Sequence, residues 1–168
     1  MQEKIAIVTG STNGIGQVTA SELAQMGATV VLISRSMSKL EKTAAQITSE
    51  TGNDRISTIQ ADLSSMADVR RAVQSFSADY DRLDVLVNNA GAYFDQRQES
   101  ADGYEMTFAL NHLNYFLLTN LLLDVLEKTA AQVGEARIVN VSSDAHQMAR
   151  IDFDDLQAQQ KYNAFGAY

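Results

Sequence analysis

At 168 residues, 45% of them apolar and 20% charged, the chain has the size and composition of one globular domain with a core of its own. Its 13 basic and 21 acidic side chains leave a net charge of −8, which argues against nucleic acid or an anionic membrane surface as a partner, so an anionic ligand would have to be held by local geometry. With no cysteine there is no disulfide or thiolate metal site, the two histidines (His112 and His146) lack ligand spacing, so no metal site is expected, and no apolar run approaches the roughly 20 residues of a membrane span.

The chain opens directly into an apolar run, so no signal peptide is expected, and the cysteine-free composition fits a reducing, cytoplasmic setting. That first run, residues 5–8, is apolar throughout and mostly β-branched, and predicts a strand buried on both faces, as in a parallel sheet. It breaks into a turn containing Gly10, Gly14 and Gly16, and a helix is predicted over 14–26 with Ile15, Thr19, Leu23 and Met26 on its inner face. A strand, a glycine turn and a helix in that order make an anion site. Glycines let the backbone approach a pyrophosphate, and the helix N-terminus offers free N–H groups and a partial positive charge. Gly10, Ser11, Asn13, Gly14, Ile15 and Gly16 are the candidate cofactor-binding residues of this turn.

The same alternation continues through strands at 29–33, 56–59, 85–87 and 138–141, with helices at 38–51, 65–79 and 104–128 between them. Five strands alternating with four helices predict a doubly wound parallel α/β sheet with helices on both faces. Such sheets bind ligands at the carboxyl ends of their strands. Strand two ends at Ser34-Arg35. An acid here would accept a ribose 2′-hydroxyl; the guanidinium of Arg35 instead suits a 2′-phosphate, which favours NADP over NAD, the alternative being a solvated loop side chain. Strand three ends at Asp62-Leu63, where an Asp before Ser64 and Ser65 reads as a helix N-cap. Strand four runs into Asn88-Asn89-Ala90-Gly91, a tight-turn composition. In the long fourth helix, Phe108, Phe116, Leu117, Leu121, Leu122 and Val125 form the predicted apolar face, and Asn111 interrupts it as a poor helix residue whose side chain must bond backbone or hold water. Strand five ends at Ser142-Ser143.

Thr9-Gly10-x-x-x-Gly14-Ile15-Gly16, followed in order by Asp62-Leu63, Asn88-Asn89-Ala90-Gly91, Asn111 and Ser143, resembles the short-chain dehydrogenase/reductase family over the whole chain. The tail from Ser142-Ser143-x-Ala145-His146 through Ile151-x-Phe153-x-x-Leu156 to Tyr162-Asn163-Ala164 and Ala167-Tyr168 resembles its retinol dehydrogenase-like branch. The resemblance implies a Rossmann-type NAD(P)-binding domain over 1–168, with Asn111, Ser143 and Tyr168 catalytic, Asp62 and Leu63 against the adenine, and Asn89, Ala90 and Gly91 lining the cofactor groove. It implies hydride transfer between NADP(H), or NAD, and a small-molecule alcohol or carbonyl of lipophilic character, with a homo-oligomer as one possible assembly. The family's lysine, four residues after the tyrosine, falls beyond residue 168. The chain is therefore expected to be the front part of a longer enzyme, or else a catalytically incomplete dinucleotide-binding module. A methyltransferase-type Rossmann domain would suit the glycine turn but leaves the Asn-Asn-Ala-Gly segment and the Ser143–Tyr168 pair without a role.

Overall fold

Successive side chains of a strand point to opposite faces, so a strand with apolar residues at every position needs cover on both sides. In the computed structural model, which describes all of Met1–Tyr168, the five apolar runs form β1 (Ile5–Thr9), β2 (Thr29–Ser34), β3 (Ile56–Gln60), β4 (Val85–Asn88) and β5 (Arg137–Asn140). All pair in parallel, in the order β3-β2-β1-β4-β5. Ala6 and Val8 of β1 enter one core, with Val30 and Leu32, beneath α1 (Gly14–Gln25) and α2 (Met37–Thr51). Ile7 enters the other, with Val31, Ile33 and Leu86, beneath α3 (Met66–Asp79) and the long helix near the C-terminus. The expected doubly wound α/β sheet with helices on both faces is what forms.

The inner face of α1 differs from expectation. Ile15 and Met26 are exposed at 66% and 54%, while Gly16, Ala20 and Ala24, spaced by four, are buried. Small residues bring this helix close to the sheet, and the larger ones are left at its rim. α2 ends on Gly52 and the long helix on Gly134, both in the left-handed conformation that stops a helix.

The predicted helix 104–128 begins two residues later and runs further. It comprises α4 (Met106–Phe108), a π-helical turn at Ala109–Leu113 and α5 (Asn114–Val133). Asn111 sits inside the π turn, which rotates the buried face onto Leu118, Leu122 and Leu126 and leaves Phe116 63% exposed rather than inside. Asp62 is not the cap of α3. Ser65 is, its hydroxyl accepting from the Asp68 N–H, while Asp62 accepts from the N–H and hydroxyl of Ser64 in a local turn. Asp68 also accepts from the Asp62 N–H at 3.1 Å, and that bond, aided by Arg71, holds its carboxyl below the ordinary value. No helix is long and apolar enough to cross a membrane.

Candidate active site

Strand order reverses between β1 and β4, which opens a crevice at the carboxyl ends of these strands. Thr9, fully buried at the end of β1, closes its floor. Its hydroxyl donates to the Val87 carbonyl at 3.2 Å and accepts from the N–H groups of Asn89 and Ala90 at 2.9 and 3.0 Å. Asn89 answers with its amide N–H on the Thr9 carbonyl at 2.8 Å. The turns after β1 and β4 are thus lashed together by side chains about 80 residues apart in sequence.

Two glycines permit this. Gly10 has φ +64°, and a Cβ there would lie 2.9 Å from the Ala90 Cα. A Cβ on Gly16 would overlap both the Asn89 amide and the Gly10 carbonyl. Between them α1 starts without a cap: Asn13 is extended, makes no side-chain capping bond, and no acid stands in the first turn. The first N–H groups of the helix lack side-chain partners there, next to open space, which is the arrangement that binds an anion.

A groove of about 550 Å³ joins this turn to the far strand ends. Its walls include Gly10, Asn13, Gly14 and Ile15 of the turn, Asn89, Ala90 and Gly91 after β4, and Asn111, Ser143 and Tyr168. Residues from five separate parts of the sequence therefore meet in one groove. Ser143 accepts the Ala145 N–H on its hydroxyl oxygen at 3.1 Å, which leaves its own proton free to donate. The His146 ring donates Nδ1–H to the Ser143 carbonyl at 2.6 Å. Tyr168 is 45% exposed and meets the edge of the Tyr93 ring, centroids 5.8 Å apart. The Asn111 side chain bonds backbone: it accepts the Ala92 N–H and donates to the Ala92 carbonyl, both at 3.0 Å.

Other expected residues stand apart from the groove. Arg35 is exposed beyond β2, without an ion-pair partner, and its neighbour Ser34 is 3.2 Å from the Thr12 hydroxyl of the glycine turn. Asp62 is exposed at the end of β3. Leu63 is 4% exposed and packs in the core under α3, so its side chain is a core residue and not a groove residue. Ser11 is fully buried with its hydroxyl unpartnered.

Sequence reading passed over Thr9 as a structural tie, and Tyr115, Ser142 and His146 as groove residues. Tyr115 also borders a second cavity of about 380 Å³ between α5 and β5, and burial, with the nearby Tyr168 charge, pushes its phenol up to about 12. Ser142 and His146 had a signal, their place at a strand's carboxyl end. Tyr115 had none, because a tyrosine in an apolar helix reads as core.

A doubly wound parallel sheet with a glycine turn and an uncapped helix at its carboxyl edge defines a dinucleotide-binding type of α/β fold. The family model for short chain dehydrogenase matches residues 4–154, and the chain belongs to that family. It is 45% identical to human retinol dehydrogenase 11 over 98% of its length and 42% identical to human polyprenol dehydrogenase over 99%. It spans about half the length of these relatives, 51% and 50%. Among solved structures, the Pseudomonas aeruginosa RhlG/NADP active-site complex superposes with a TM-score of 0.78 at 35% identity, over 99% of this chain and 61% of that one.

Proposed function

We propose that the chain carries the cofactor-binding and proton-transfer groups of an NADP(H)-dependent oxidoreductase acting on a lipophilic alcohol or carbonyl. The observation that carries the reading is that the residues of an uncapped helix terminus line the same groove as Ser143 and Tyr168. A dinucleotide fits the residues present: backbone N–H groups of Gly14–Gly16 would hold its pyrophosphate, and Arg35 a ribose 2′-phosphate, with Asp62 near the adenine. When bound, the nicotinamide supplies or accepts the hydride. The protein's own residues do the rest. Ser143 donates its free proton to the substrate oxygen, and Tyr168, open to the groove, exchanges a proton with that same oxygen. Asn111 ties the backbone after Gly91 to the long helix through Ala92. The lipophilic substrate rests on the names of the retinol and polyprenol dehydrogenases that the chain resembles.

The second reading is a binding module without turnover. Among these 168 residues, none of those lining the groove is a lysine or arginine. One set of titrations separates the readings. NADPH should bind more tightly than NADH, and Arg35→Asp should weaken NADPH about tenfold or more while sparing NADH. Equal binding of both cofactors to the unaltered chain would make Arg35 a surface residue only. Oxidation of bound NADPH by lipophilic aldehydes is expected of the enzyme; binding without oxidation leaves the module.

A further inference from the structure

The long helix contains one more residue per turn at 109–113 than an α-helix allows, and that extra residue is trapped from both sides. Upstream, Glu105 is 2% exposed and its carboxylate accepts the N–H groups of Thr107 at 2.9 Å and Phe108 at 2.7 Å, while its carbonyl accepts from Ala109. Its own N–H donates to the Gln157 side chain at 2.7 Å, which ties this end to the tail. Downstream stands Asn114. Its backbone N–H reaches back five residues to the Ala109 carbonyl, and its side-chain amide donates to the Leu110 carbonyl at 3.3 Å.

Asn114 is fully buried, and its amide oxygen has no partner. A buried acceptor left unpaired costs stability that an aliphatic side chain would not. Every other buried position along this helix after the turn is leucine or a threonine bonded to the carbonyl four residues back. The donor half of the Asn114 amide is what such a position would lose if it were leucine.

We propose that Asn114 is a positioning residue: its amide holds the Leu110 carbonyl and so keeps the π turn that sets Asn111 against Ala92. Without that donor the segment between Glu105 and Asn114 slips by one residue. One residue is a rotation of about 100° about a helix axis, which takes the Asn111 amide off the Ala92 backbone. Ala92 follows the groove residue Gly91 and precedes Tyr93, whose ring meets that of Tyr168, so the slip would loosen the backbone that joins Gly91 to this aromatic contact. The consequence for turnover rests on the function proposed above; the structural link itself does not, and it is tested without cofactor or substrate.

The test compares Asn114→Thr with Asn114→Val in the ¹⁵N-labelled chain. Threonine keeps a donor for the carbonyl four residues back, as Thr129 does for Val125 at 2.7 Å in the same helix, and valine has the same shape without it. In the valine chain, the Ala92 N–H should exchange at least about tenfold faster and the Asn111 side-chain resonances should move to free-amide positions, while core amides of β1 keep their protection. Threonine should retain the pattern of the unaltered chain. Alanine, the best helix former, gives the same missing donor if the valine chain does not fold. Unchanged Ala92 protection in the valine or alanine chain overturns the proposal, and so does equal loss with threonine.

Discussion

Tyr115 shows how a residue of ordinary type acquires a particular chemistry. It is partly buried, borders both cavities, and feels the charge that Tyr168 carries when ionised. Desolvation is the larger cause of its raised value, about 12 against an ordinary 10. The folded chain therefore holds this proton more tightly than the unfolded one. Its contribution to stability is complete below pH 10 and is lost as the pH rises through 12. Titration of phenol absorbance should show a last ionisation near pH 12 that Tyr115→Phe removes, and the melting temperature of the variant should fall less steeply over that interval. A last step that survives the substitution would assign it to another tyrosine. At this scale, the glycines that the tight turn requires and the backbone bonds of the interrupting Asn111 were legible in sequence. Thr9 was not, because its partners Val87, Asn89 and Ala90 are about 80 residues away and nothing local announces them.

For whole elements, the period of the sequence was more reliable than the face it assigned. α1 has its expected place and length, yet it turns Gly16, Ala20 and Ala24 to the sheet and leaves Ile15 and Val18 at 66% and 62% exposure. A hydrophobicity pattern scores large residues and cannot see that a helix beginning inside a tight turn must lie close to the strand it left. Ala20 is fully buried at that contact. Ala20→Leu should overpack it and cost about 1–3 kcal/mol, read as a lower melting temperature. Ile15→Gln should change stability by less than about 0.5 kcal/mol, since little of the side chain is buried. Equal effects of the two substitutions would return α1 to the face its sequence pattern indicated. The long helix makes the same point: its length was legible, but a π turn inserts a residue that no period anticipates, and Phe116 moves from the expected core to the surface.

Across the whole molecule, strand and helix alternation correctly implies a parallel doubly wound sheet. β5 has an apolar centre and reads as an inner strand; within these 168 residues it pairs with β4, and all four of its residues are exposed, Ile138 at 40% and Val139 at 45%. The opposite edge is different: in β3 only Gln60 is exposed, and α2 and α3 pack against the strand. The free side of β5 thus presents unpaired N–H and C=O groups, and an exposed Phe116 on α5 shares a cavity with the end of the strand. Unpaired backbone beside apolar side chains is a template for another strand. The 168-residue chain should therefore associate increasingly with concentration, and Val139→Lys should suppress this by placing a charge on the edge while leaving the β1–β4 core intact. Sedimentation over a concentration series measures both. A chain that stays monomeric throughout, or a lysine variant that associates as readily, would mean that the β5 edge is protected in solution by something other than charge, and the α5–β5 cavity would be the first place to look for it.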